Sequence, residues 1–190
     1  IQQSLYILFE HRIHRLSYGQ DPALDGQVFL SEWRGCLNQN CWVTVERLAY
    51  VMDRKGIFRF DGNEYDPISQ TIQTMFEREG VGAFKVNWTH HENFHAVHDR
   101  QAEVIKWFVC LDGKRYPHHA ICYHYREGRW WVEEYSLPIT SSALGVLKGE
   151  HQVYLGTSGR QVLAAGHGTL DGVDKKDSAT RGTISSSDLL

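Results

Sequence analysis

No stretch of this sequence approaches the roughly 20 consecutive apolar residues that a membrane-spanning helix needs. A positive excess is also missing. Lys and Arg number 20 against 23 Asp and Glu, a net charge of -3. A protein that grips duplex DNA by neutralising phosphates is normally basic overall, so that class is disfavoured. The four cysteines, Cys36, Cys41, Cys110 and Cys122, contain no C-x2-C pair, the usual mark of a structural zinc site. They read as buried free thiols, with a Cys110–Cys122 bridge left open. No serine nucleophile elbow, P-loop or dinucleotide fingerprint is present. Gly166-His167-Gly168 lacks the strand-to-helix setting that a phosphate cradle requires.

What is abundant is aromatic and hydrophobic. Aromatics make up 12% of the 190 residues, with six Trp and nine Tyr, and there are eleven His. The many aromatics and the small net charge exclude a disordered chain, and the composition is not collagen-like. The length gives room for one domain, or somewhat more, with a proper core. Short apolar or alternating runs between Gly and Asp turns recur throughout, at 5–9, 13–18, 41–45, 48–52, 57–60, 94–98, 104–111, 120–125, 129–135, 142–147, 152–155 and 161–165. That grammar predicts antiparallel β structure. A loop is expected at 19–26. One short helix is expected near residues 68–79, where Ile68, Ile72, Met75 and Phe76 stand at helical spacing between Pro67 and Gly80. A single helix excludes a parallel α/β design.

A weak internal repeat runs through the strands. Tyr50-Val51-Met52-Asp53-Arg54 precedes Ile57-Phe58-Arg59-Phe60, and Ala96-Val97-His98-Asp99-Arg100 precedes Val104-Ile105-Lys106-Trp107. Both read apolar strand, Asp-Arg turn, apolar strand. The expected fold class is therefore all-β, with repeated antiparallel hairpins resembling propeller blades.

Several constellations invite chemistry. His91-Glu92-x-x-His95 matches the pattern of zinc metallopeptidases, in which two His one helical turn apart hold the metal and Glu deprotonates its water. Val86-Asn87-Trp88-Thr89 is a poor helix start and Phe94–His98 alternates like a strand, on which residues four apart sit about 13 Å apart. A zinc hydrolase using His91, Glu92 and His95 is kept as an alternative that requires a helix through them. His118 and His119 with His124, and His11 with His14, read as polar loop and strand residues. Adjacent Glu133 and Glu134 face opposite sides of a strand and cannot act as a pair. Trp107, Tyr116, Tyr123, Tyr125, Trp130, Trp131 and Tyr135 read as core or interface rings. A carbohydrate-binding module using Tyr125, Trp130 and Trp131 is the third reading.

The order of these motifs resembles a family of bacteriophage tail proteins, the hub or nozzle proteins of short-tailed phages. The likeness is carried by Glu10-His11-Arg12-Ile13-His14-Arg15-Leu16, by Arg34-Gly35-Cys36 leading to Cys41-Trp42-Val43, and by Tyr50–Gly62. It continues through Pro67-Ile68-Ser69-Gln70, Asn87-Trp88, His95-Ala96-Val97-His98-Asp99, Tyr123-His124-Tyr125, Gly128-Arg129-Trp130-Trp131 and Val153-Tyr154-Leu155-Gly156. It covers the chain up to about residue 165. What the resemblance implies is a structural virion protein with a propeller-like body, located in the tail and assembled in the host cytoplasm. Its partners would be copies of itself in a ring around the DNA channel, and other tail proteins on the portal and distal sides. Packaged DNA would be retained and then pass without sequence-specific binding. The resemblance brings no catalytic residue, cofactor, metal or membrane anchor. A mildly acidic wall suits passing DNA, because a basic one binds phosphate.

Residues 1–170 are thus expected to form a propeller-like β domain, and the polar stretch 171–190 a linker or the start of a further β element. The 190 residues read as one segment of a longer protein.

Overall fold

The computed structural model describes residues 3–18, 26–31, 33–77, 84–147, 149–165 and 185–187. Most of the expected loop at 19–26, the end of the expected helix at 78–79, the Gly166-His167-Gly168 stretch and most of the polar tail lie outside the described residues. The chain divides into two compact units, Ile1–Glu77 and Arg78–Leu190. The described residues are predominantly β, in four antiparallel sheets, none of which closes into a barrel.

In the first unit, β1 (Gln3–Leu8), β2 (Ile13–Tyr18) and β3 (Gly26–Ser31) form one antiparallel sheet in chain order. The β1–β2 hairpin keeps an unbroken register from Gln3↔Tyr18 to Leu8↔Ile13. A four-stranded meander follows, made of β4 (Trp42–Val45), β5 (Leu48–Asp53), β6 (Gly56–Phe60) and β7 (Tyr65–Pro67). Tyr50, Val51 and Met52 of β5 are all buried, so both faces of that strand are covered. Ile57, Phe58 and Phe60 of β6 join them, while Arg59 points out and pairs with Asp66 of β7 at 2.8 Å. Ile57 and Phe58 are neighbours on opposite faces and both fully buried, so β6 is covered on both sides at its start and opens to solvent only at Arg59.

The expected helix is corrected to a shorter and tighter element. A 3₁₀ helix spans Gln70–Met75, with a kink at Ile72. Pro67 belongs to β7 rather than to a helix start. The Ser69 hydroxyl accepts from the Ile57 amide at 2.9 Å, so it does not cap the helix that follows. Bonds from Ile72 N to Ser69 O and from Phe76 N to Gln73 O keep a three-residue repeat. That repeat still buries Met75 and Phe76.

In the second unit, a 3₁₀ helix at Trp88–Asn93 leads into β8 (His95–Asp99). Then come β9 (Val104–Val109), β10 (His119–His124) and β11 (Arg129–Glu134) in meander order, and β15 (Ser185–Ser187) adds to the edge of β11. A second sheet holds β12 (Ile139–Leu147), β13 (Glu150–Thr157) and β14 (Val162–Ala164). Val97, Val104, Phe108, Ala120 and Cys122 share one face of the first sheet and pack with Tyr135, Ile139, Val153 and Leu155. One core cluster of this unit therefore lies where the two sheets meet, while Ile105, Trp107, Val109 and Ile121 are buried on the opposite face of the first sheet.

The repeated Asp-Arg motif forms a hairpin in each unit. In both, the aspartate clamps its own turn. Asp53 Oδ1 accepts from Lys55 N at 2.7 Å, and Asp99 Oδ1 accepts from Ala102 N at 3.1 Å. The turns differ in length, pairing Asp53 with Gly56 but Asp99 with Val104.

Candidate functional site

Within the first unit, two of the polar turns approach each other. The β1–β2 turn carries Glu10, His11 and Arg12, and the β5–β6 turn carries Asp53, Arg54 and Lys55. Together with Trp33 they line a cavity of about 560 Å³. The segment after Trp33 makes this possible. Gly35 passes so close to the first turn that a Cβ there would run into the carbonyl of Phe9. Cys36 N then bonds Phe9 O at 2.8 Å, and Leu37 N bonds Met52 O at 3.0 Å. One short strip of backbone thus ties both turns together.

The charges in the cleft are ordered. Arg54 Nε donates to Glu10 Oε1 at 2.6 Å, joining the two turns. Arg34 Nη1 donates to both oxygens of Asp53, at 2.9 and 3.0 Å, with side chains that are 13% and 3% exposed. Burial pushes the Asp53 carboxyl above the usual range, while the Arg34 guanidinium and the Lys55 amide pull it back. The Lys55 ammonium stands 5.6 Å over the Trp33 ring, a cation–π contact, and Trp33 is 72% exposed. Arg12 adds a guanidinium to the exposed rim, beside His11. Arg12 and Lys55 place positive charge at the rim of the cleft, while Glu10 and Asp53 are each paired with an arginine.

The HExxH residues are not brought together for metal. His91 and Glu92 lie in the 3₁₀ helix and His95 begins β8, so no continuous helix runs through them. His91 Nδ1 faces Trp88 O at 2.9 Å, and Glu92 points to solvent. His95 is buried, stacked on Phe108 at 4.8 Å, with Nδ1 on Asn93 O at 3.1 Å. Burial holds its pKa below the ordinary histidine value. Among the described residues, no group of three His, Cys, Asp or Glu stands where it could hold a metal ion.

His119 is buried with its Nε2 3.8 Å from Glu134, whereas the His124 ring accepts from the Glu127 amide. Glu133 and Glu134 part as adjacent strand residues must: Glu133 is buried and Glu134 exposed. Glu133 takes Lys106 Nζ on both oxygens, at 3.0 and 2.7 Å, and accepts from Trp131 Nε1 at 3.2 Å and from Tyr135 Oη at 2.6 Å. Burial opposes both charges of the Lys106–Glu133 pair. Each partner nevertheless holds the other ionised, the ammonium above its ordinary range and the carboxyl below its own. Trp107 and Tyr123 are buried, and Trp130 stacks on Tyr123 at 4.3 Å. The indole and phenol faces are spent on one another across the strands.

All four cysteines are free and buried, with no Cys110–Cys122 bridge. Burial lifts the Cys36 and Cys110 thiols to about 12. The cleft was not legible in the sequence as a site. Its two turn triplets stand out as turns, but neither carries a spacing that announces the other. No protein-family model matches the chain, and no curated protein matches it.

Proposed function

We propose that this chain is a non-enzymatic structural component of a phage tail, a hub or nozzle protein with blade-like sheets. Copies of it form a ring around the channel through which DNA is held and then ejected. The observation that carries the reading is the repeated hairpin. β5–β6 and β8–β9 belong to different units, yet each sits inside a meander sheet of four or five strands and turns on a carboxylate-clamped Asp-Arg step. Propeller blades are meander sheets of about this size, and turns at blade ends are available as contacts in a ring. The net charge of -3 supports it further, because a wall that does not grip phosphate lets DNA pass.

Sedimentation velocity and negative-stain microscopy of the purified chain test the reading. A closed ring with a central opening is expected. A chain that stays monomeric at every attainable concentration contradicts it.

A further inference from the structure

The cationic cleft has a counterpart on its own unit. At the far end of β6 from the Asp53–Gly56 turn, the β6–β7 turn projects an acidic tip. Asp61 Oδ1 accepts from Asn63 N at 2.8 Å and from Glu64 N at 2.9 Å. Asp61 N bonds Glu64 O at 3.3 Å, and Arg15 Nη1 holds Asn63 Oδ1 at 2.8 Å. Gly62 takes φ +103°, and the Tyr6 hydroxyl lies 2.5 Å from where a Cβ would stand. Asp61, Asn63 and Glu64 are exposed, and Glu64 makes no ion pair with a described residue. The tip is therefore rigid, anionic and outward.

Consecutive turns of a meander lie at opposite ends of its sheet. Five residues of β6 separate the two turns, about 17 Å of strand. One unit thus carries a cationic hole at one end and an acidic knob at the other. A contact between a hole and a knob on different copies is heterologous, the kind that builds rings or filaments.

We propose that the cleft of Arg12, Trp33 and Lys55 is an interface that receives the acidic Asp61–Glu64 turn of a second copy of this chain. This rests on the ring reading above and names its contact. The Glu64 carboxylate meets Lys55 and Arg12, and the exposed Trp33 indole covers the backbone of the incoming turn. A protruding turn suits a half-open cavity of about 560 Å³ set between two turns. A nucleic-acid strand needs a groove that tracks its backbone, whereas this lining is a local cavity between two turns. Both partners are held in shape before they meet, the knob by Asp61 and Arg15 and the hole by Asp53 and Arg34. Little ordering remains to oppose association.

The test is a charge swap followed by sedimentation velocity of the full chain at low and high salt. Lys55→Glu and Glu64→Lys should each weaken self-association roughly tenfold or more, and high salt should weaken that of the unaltered chain. The double variant K55E/E64K should recover most of the loss, which a merely misfolded variant cannot do. Unchanged association in both single variants overturns the knob-and-hole contact while leaving the ring reading standing. Association that follows the charge swap but yields open chains supports the contact and overturns the ring. A monomer under all conditions overturns both. Binding of a labelled oligothymidylate, lost in Lys55→Glu while self-association is unchanged, assigns the cleft to nucleic acid and also overturns the contact.

Discussion

At the scale of single residues, the most consequential feature is a charge pair in a β core. Lys106 and Glu133 have side chains only 12% and 10% exposed, so neither charge is well solvated. Removing one partner of such a pair costs about 3–5 kcal/mol, because the other is left buried and uncompensated. Lys106→Met should therefore lower unfolding stability by that order. Adding Glu133→Leu should give back part of the loss, so that the double variant is less destabilised than the sum of the singles. Strict additivity in urea unfolding would count against the coupling. Two buried histidines and a half-buried one set a pH dependence. Burial holds His95, His98 and His119 below the ordinary value of 6.5. Above that value both folded and unfolded chains are neutral at these sites. As pH falls below it the unfolded chain takes up protons first, and stability declines down towards the folded values. Unfolding should thus need less urea at mildly acidic pH than at neutral pH. Part of that difference should vanish in His95→Phe, which keeps a ring against Phe108. The cysteines give a simpler check: a thiol reagent should react slowly with the native protein and with all four on unfolding.

At the scale of elements, the Asp-clamped turn is one device used at two energetic levels. Asp53 is buried, bonds the Lys55 amide and neutralises Arg34, so Asp53→Ala leaves a nearly buried guanidinium without its carboxylate. A loss of about 3–5 kcal/mol is expected. Asp99 performs the same turn closure at a more open position, through one bond to the Ala102 amide. Asp99→Ala should cost about 1 kcal/mol. Equal losses in denaturant titrations of the two variants would contradict this assignment. The 3₁₀ helix shows the same economy: Ser69 serves the strand beside it rather than its own helix, and the helix stays short.

At the scale of the whole molecule, the proposed ring makes a further prediction. Heterologous contacts do not terminate unless the rotation between copies closes. A closed ring should therefore appear in sedimentation as one dominant species whose size does not grow with concentration. An open contact gives a series that grows continuously. No helix among the described residues is long and apolar enough to cross a membrane.

How much of this was legible in the sequence follows from the range of the forces involved. Strands and hairpins were readable because alternation and Gly or Asp turns are local: the register of β1 on β2 is implied by residues 5–18 alone. The helix boundary was not readable, because Pro67 and Ser69 are claimed by β6 and β7, a tertiary competition that helical spacing does not reveal. The HExxH string could be doubted from its poor helix start and strand-like downstream flank, but the stacking of His95 on Phe108 depends on strand pairing. Lys106 stood in an apolar run with no visible partner, since Glu133 reaches it only across β10. The cleft is the extreme case, because Glu10 and Arg54 lie 44 positions apart. The sequence by itself determined the β grammar, the turn chemistry and the overall charge, all of which act over a few residues or over none in particular. Only the tertiary structure decided which turns face one another, because that choice belongs to the packing of sheets and is written in no single segment.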